Sequence, residues 1–436
     1  MRINLPSQNN SFEIDPRQYG LDTNPTEAIQ KAIDQAYEHG GGIVRIPSGT
    51  FHLGNQSLRL KSKVSLAGVR GYTKITGGAN PSIKAVSSDS LTDIVIEDLH
   101  FSNIGAFDIE TCSMMVVRHC IFSNITGCGI GWIRNASSVW IYNNYLDGCT
   151  EMGLKLEGSS AGASRDIHIF RNEVRNARDN GLAVRAINDS IYHVNISDNI
   201  IYNSGKAGIK LTQESVSRLG VKIEEGTISN NLIHGWGSVV EEDGISCNSY
   251  KDDQFNNRIT IVGNSIRTLG NKIGGILSER SYIGIIRNKN TVVQGNTCDG
   301  GVATSGIFGE TTSNTIIQGN DIKSACLNSQ FKYIATSGGI GLNVCDEINV
   351  NGNIVKNTGS MRPGIFVRRV KNSVISANRC YDDQTTKTQS YGIEESDAGG
   401  DPAWSSDNLF VGNHCKGNAI EGLRISSRSQ QYANFQ

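Results

Sequence analysis

IHIFRNEVRNARDNGLAV, residues 167–184, carries two strand signals and two turn signals within one short stretch. Ile167 and Ile169 alternate with His168 and Phe170, the period-2 pattern of a strand with one buried face. Arg171-Asn172 turns the chain, Val174 points inward again, and Gly181 opens a second strand with Leu182 and Val184 inward. The same frame returns along the chain. An asparagine sits two residues before an apolar or Cys residue at Asn144, Asn172, Asn199, Asn231, Asn264, Asn296, Asn320, Asn353, Asn378 and Asn413. Leu99 and Cys120 hold that slot in two earlier segments. A glycine follows at Gly153, Gly181, Gly208, Gly244, Gly275, Gly306, Gly339, Gly364, Gly392 and Gly422.

A repeat of about 20–50 residues signals a solenoid, a propeller or an array. These units lack amphipathic helices, which argues against leucine-rich, ankyrin and armadillo solenoids. They are also too short for four-stranded blades. The reading is an all-β chain folded as a single-stranded parallel β-helix of about 12–14 coils, stacked at about 4.8 Å per turn into a rod on the order of 60 Å long. A buried amide without partners costs about 1–3 kcal/mol. The asparagines are therefore expected to form an internal ladder, each bonding to the turn backbone and to its neighbour one coil away.

Composition sets the remaining bounds. The chain of 436 residues has 49 Gly, only 7 Pro and a formal net charge of −1, so nothing draws it to nucleic acid or an anionic membrane surface. No apolar run reaches the roughly 18 residues of a membrane span, and the opening MRINLPSQNN does not read as a secretory signal. Of ten Cys, Cys298, Cys380 and Cys415 stand two after the ladder Asn, as small buried hydrophobes with free thiols. No C-x-x-C pair occurs, so no metal site is expected. The expected organisation is an N-terminal segment (1–50) with a capping helix at 25–38, the β-helix at 51–426 and a tail at 427–436.

Residues 25–38, PTEAIQKAIDQAYE, place Ala28, Ile29, Ala32, Ile33 and Ala36 on one stripe at helical spacing. Asn24 is the expected N-cap, and Gly40-Gly41-Gly42 ends the helix. Such a helix would cover the open edge of the first coil. This stretch and its continuation, EAIQKAIDQAYEHGGGIVRIPSGTFHLG followed by LRLKSKVSLAGVRG, resemble the opening of the pectate-lyase-like right-handed β-helix superfamily. That superfamily includes polygalacturonase-type hydrolases, polysaccharide lyases, mannuronan epimerases and phage tailspikes. The resemblance implies right-handed coiling, a polysaccharide or oligosaccharide substrate, a secreted or virion-associated location and, in the tailspike branch, a homotrimer. It implies no cofactor, with Ca²⁺ an option if the protein is a lyase. Catalytic motifs of these families are absent: there is no Asp-Pro-His-Glu and no Gly-His-Gly, and Asp252-Asp253 and Asp382-Asp383 lack their surroundings.

Alternation nonetheless selects one face. Residues two and four after each corner Gly point outward. One column begins Lys155, Ala183, Lys210, Ser246, Leu277, Phe308, and the other Glu157, Arg185, Thr212, Asn248, Glu279, Glu310, Asn343, Arg368. Stacking Glu279 on Glu310 would give a carboxylate couple, at about 5–5.5 Å for a retaining or about 6.5–9.5 Å for an inverting glycosidase. The bland alternative is a solvated ladder neutralised by Arg280. Asp243, in VEEDG with Glu241 and Glu242, would join the groove or lie in a surface acidic loop. Lys155, Glu157, Arg185 and Lys210 are expected to bind substrate, as Asn248, Arg280 and Arg368 are, or else to form a Glu157–Arg185 surface salt bridge. Trp140, Tyr142, His168 and Phe170 offer an outward aromatic set, and Val292, Ile316, Val374 and Leu409 an outward apolar one suited to a trimer interface. Glycoside hydrolysis in a lateral groove is the first expectation. β-Elimination on a uronate-containing glycan and a tailspike-like or adhesin-like binding role are the alternatives.

Overall fold

The computed structural model describes residues 12–77, 84–159, 162–215, 218–252, 254–331, 334–396 and 405–436. The chain forms two compact units, Met1–Ile200 and Ile201–Gln436. Residues 1–10 and Asp253 lie outside the described residues, as do parts of the corner loops at 212–226 and 395–407.

In the first unit the helix Pro25–Glu38 forms as its sequence directs. Asn24 accepts a hydrogen bond from the Glu27 N–H, Pro25 opens the first turn, and Ala28, Ile29, Ala32, Ile33 and Ala36 are fully buried. The helix lies against the strands Gly42–Arg45 and Leu58–Arg59. Behind it the chain winds into coils of three strands, such as Leu154–Gly158, Ser164–Phe170 and Glu173–Arg175. Each strand pairs in parallel with its counterpart one coil away: Leu154↔Leu182, Ile167↔Val194 and Val174↔Leu146. The inward residues Ile167, Ile169, Val174, Leu182 and Val184 are wholly buried, as the alternation requires.

The second unit repeats this plan, with Ile245–Ser249, Asn256–Val262 and Ser265–Arg267 as a representative coil. Its pairings Ile209↔Ile245, Thr227↔Thr260 and Ile233↔Ile266 are parallel and in step. At the end of the chain, Gln430–Tyr432 pairs with Leu409–Val411, so residues 427–436 add a strand to the stack.

The asparagine ladder is present in both units. In the first, Asn144 Nδ2 donates to Asn172 Oδ1 at 2.9 Å and to the Val117 carbonyl at 3.0 Å, and Asn172 repeats the pattern onto Asn199. In the second, Asn231, Asn264, Asn296, Asn320, Asn353, Asn378 and Asn413 follow one another, and Asn434 closes the series. The backbone N–H of each also reaches the next Oδ1, for instance Asn296 N to Asn320 Oδ1 at 3.0 Å. A rung such as Asn172 thus spends its carbonyl and both amide hydrogens inside an otherwise apolar core.

Corner glycines are required by contact. A Cβ on Gly153 would meet Val174 Cγ1 at 2.3 Å and the Gly181 carbonyl at 2.6 Å, and on Gly339 would meet Val355 Cγ1 at 2.1 Å. All ten Cys are free and buried, and burial raises the thiols of Cys112, Cys120, Cys247 and Cys345 to about 12. All ten pack as buried hydrophobes, and those four hold their protons.

Replacing Asn320 with Leu removes the acceptor used by both the N–H and the side chain of Asn296, and the donor to the Val293 carbonyl. At about 1–3 kcal/mol for each stranded group, urea unfolding monitored by circular dichroism should show a loss of at least about 3 kcal/mol. An unchanged midpoint would contradict a stabilising ladder.

Candidate active site

The register corrects one expected column. Gly275 does not occupy the corner slot. Ile245 pairs with Ile283, so the residue opposite Gly244 is Tyr282, and the outward slots hold Gly284 and Ile286 instead of Leu277 and Glu279. Tyr282 takes the glycine's place because its hydroxyl, fully inside, accepts from the Gly301 N–H and donates to the Lys323 carbonyl, each at 2.8 Å. Gly275 lies instead in a hairpin, Lys272–Ile273 with Ile276–Leu277, inserted ahead of that slot.

Glu279 therefore does not stack on Glu310, and the carboxylate couple is absent. Glu279 is fully buried and accepts from the backbone N–H groups of Leu269, Gly270 and Asn271 at 2.8, 2.8 and 3.0 Å. It ties down the root of the hairpin. Burial pushes its carboxyl above the usual range against the pull of those three donors. Glu310 follows Ile286 and precedes Asn343, whose Nδ2 donates to its Oε1 at 2.8 Å. Asn248 is also committed to structure: its Oδ1 accepts from the Ile286 N–H and its Nδ2 donates to Ser246. Arg368 follows Asn343 in register.

Asp243 is not in a surface acidic loop. Its side chain lies flat over Gly284, where an added Cβ would stand 2.2 Å from Oδ2. Arg280 clamps it with two bonds, Nε to Oδ1 at 2.8 Å and Nη2 to Oδ2, and Nη2 also reaches Glu242 at 3.2 Å. The acidic turn is held inward by Trp236, fully buried, whose indole N–H donates to the Glu242 carbonyl at 2.8 Å. On the preceding coil, Lys210 Nζ donates to the Tyr250 hydroxyl oxygen at 3.1 Å and lies 3.5 Å from Glu214 and 4.0 Å from Glu242. Burial alone would lower the Lys210 pKa, but Glu242, Tyr250 and Glu214 outweigh it and raise it. Arg280 is likewise raised, burial being overcome by Asp243. Both remain cations at neutral pH.

Beside Arg280 opens a cavity of about 210 Å³. Ile286 and Phe308 give it an apolar side, and Ser281, Thr304, Ser337, Glu310 and Asn343 a polar one. Asn343 Oδ1 is buried there and accepts no hydrogen bond from the protein. A row of contacts thus runs from Tyr250 through Lys210, Glu242 and Arg280 into a cavity with a few convergent polar groups, the usual make-up of a small-molecule site. Sequence reasoning found Lys210, Arg280, Asp243 and Glu310 but missed Tyr250 and the cavity hydroxyls. Tyr250 lies two residues beyond Asn248, just past the end of the strand Ile245–Ser249, and was legible only as a continuation of its outward alternation.

Lys155, Glu157 and Arg185 belong to the first unit. Lys155 Nζ and Arg185 Nη1 both reach Glu157 Oε1, at 2.9 and 3.1 Å. Glu157 is only 4% exposed, so the expected surface salt bridge is a buried one.

The comparisons agree with this fold. Residues 71–215 match the model of the right handed beta helix region. Mannuronan C5-epimerase AlgE2 of Azotobacter vinelandii is 26% identical over 233 residues, which cover 49% of this chain and about a fifth of that protein's length. Among solved structures, the A-module of mannuronan C-5 epimerase AlgE6 of Azotobacter vinelandii superposes with a TM-score of 0.52 at 16% identity, covering 97% of this chain and 98% of that one. Tailspike protein 3 of bacteriophage CBA120 does so with a TM-score of 0.57 at 12% identity, covering 97% and 61%. The chain is a right-handed parallel β-helix.

Breaking a buried pair strands its partner at about 3–5 kcal/mol. Asp243→Asn should therefore lower stability by about 3 kcal/mol in denaturant unfolding. Glu310→Gln, which keeps an acceptor for Asn343, should stay within about 0.5 kcal/mol of the parent. Equal stability of the two variants would contradict the assigned Arg280–Asp243 clamp.

Proposed function

We propose that the protein is an enzyme acting on a uronate-containing polysaccharide, through chemistry that begins at the C5 proton of a uronate residue. The observation that carries this reading is the row of two cations, Lys210 and Arg280, with the Tyr250 hydroxyl hydrogen-bonded to one of them beside a sugar-sized cavity. Removing a proton next to a carboxylate builds negative charge on that carboxylate, and fixed cations stabilise it where water is excluded. Tyr250, acting as the phenolate with its oxygen held by the Lys210 ammonium, is the base that takes the C5 proton. The Tyr250 phenol so formed gives its proton to the C4 glycosidic oxygen as the C4–O bond breaks, which completes a β-elimination. Returning a proton to the other face of C5 completes an epimerisation.

Glycoside hydrolysis, the first expectation from sequence, loses its support with the Glu279–Glu310 couple. Asp243 is held by Arg280, and Glu310 has no stacked carboxylate partner. The epimerase relative is a second support for C5 chemistry, over the half of the chain that it matches.

The test is incubation with mannuronan and with polygalacturonate in D₂O, following deuterium at C5 by NMR, unsaturated ends by ultraviolet absorbance, and reducing ends. Deuterium incorporation or unsaturated ends are expected. Tyr250→Phe, an exposed residue, should cut either signal by at least about 100-fold with the melting temperature unchanged. Saturated reducing ends as the sole product would contradict the reading.

A homotrimer is the second proposal. The outward column Val292, Ile316, Asn349, Val374 and Leu409 carries apolar side chains in four of its five places, with Ile316 and Val374 exposed. Such a stripe suits contact with another copy of the chain. Light scattering at micromolar concentration should give three times the chain mass. A single-chain mass would contradict it.

A further inference from the structure

The first unit carries an irregularity that its fold does not need. The strand Ile130–Arg134 pairs with Leu154–Gly158 through Ile130↔Leu154 and Ile133↔Leu156, so Gly131 and Trp132 together oppose Lys155 alone. This is a β-bulge, a device that re-aims a side chain. Trp132 sits at φ +55°, in the left-handed region, a strained backbone for a bulky residue. Left-handed residues recur in the second strand of each coil, as at Ser138, Asp166 and His193. In the first unit, no residue other than Trp132 adopts it in the strands Lys84–Ser88, Gly105–Ile109, Leu154–Gly158 and Leu182–Ala186, which share its place in the coil. Gly131 is required for the bulge, since a Cβ there would meet Cys128 Cβ at 2.2 Å.

The bulge lays Trp132 over Cys128, Met152 and Ala183 and leaves it partly exposed. Lys155 Nζ stands 3.3 Å from the centre of its ring, and the Arg134 guanidinium carbon 5.1 Å. Arg134 bridges to Asp108 and Glu110 on one side. On the other, Lys155 and Arg185 share Glu157. A ring whose only task was to cover three apolar side chains would need neither a strained backbone nor an ammonium under its covered face, where Lys155 lies beside Ala183. An amphipathic ring rimmed by fixed planar donors and carboxylates is instead the arrangement that stacks on the C–H face of a pyranose and bonds its hydroxyls.

We propose that Trp132, rimmed by Arg134 with its partners Asp108 and Glu110, is a saccharide-stacking site on the first unit, whereas the Lys210–Arg280 row belongs to the second. Its ligand class rests on the reading of the protein as glycan-directed. Its existence does not depend on which reaction the second unit performs.

The test uses the full chain with oligo-uronates and neutral gluco-oligosaccharides, following tryptophan fluorescence and calorimetric Kd. Saccharide should change the fluorescence of the parent and of Tyr250→Phe alike. Trp132→Ala should weaken binding by about 10-fold or more. Trp132→Phe, which keeps an aromatic face, should recover most of that loss, and Trp140→Phe should leave binding unchanged. Turnover with binding indifferent to Trp132→Ala would overturn this site and leave the enzymatic reading standing. Trp132-dependent binding with no turnover would support the site while removing the reaction. No saccharide binding at all would overturn it.

Discussion

Everything in this molecule follows from one constraint: a coil can stack on the next only if every residue meets its counterpart in the same slot. Parallel strands spaced about 4.8 Å apart put like beside like, and the fold then needs residues that tolerate, or profit from, meeting themselves. Asparagine profits. Its amide is both donor and acceptor, so a column of them satisfies itself through the core while also capping turn carbonyls. Glycine tolerates, because at the corner the carbonyl of one coil comes within 2.6–2.8 Å of where the next coil's Cβ would be. Apolar side chains fill the space between.

The same constraint arranges the outer face. Slots that are inward in one coil are inward in all, so the outward ones form columns on which charged groups from distant parts of the chain become neighbours. Asp243 and Arg280 are 37 residues apart and meet because their coils are adjacent. Burial then decides their chemistry. Lys210 and Arg280, largely withdrawn from water, stay charged because carboxylates stand next to them, and the clamp on Asp243 leaves that carboxylate unsuited to attack or to protonate a leaving group. The face offers positive charge at fixed points, with one phenol beside it.

Much of this was legible in the sequence. Ten asparagines at a common slot, the glycine nine residues on in several coils, and the amphipathic stripe from Ala28 to Ala36 each had one physical explanation, and all three pointed to the same fold. What failed was register at a single place. Gly275 imitated a corner glycine, but the slot belonged to Tyr282, which satisfies its hydroxyl internally and so can stand where other coils need glycine. Moving the frame by seven residues took Glu279 out of the outward column and turned it into a buried anchor for a hairpin. Asp243 was misjudged for a different reason. A run of acids beside a glycine is usually a solvated turn, and nothing local to VEEDG shows that Trp236 and Arg280 draw it in.

The most direct test of the account is a crystal structure of the Tyr250→Phe variant with a bound oligo-uronate. The account predicts one sugar carboxylate at Lys210 or Arg280 with its C5 hydrogen directed at the position of the missing phenol oxygen. A glycosidic oxygen lying between Asp243 and Glu310, with the carboxylate turned to solvent, would contradict it.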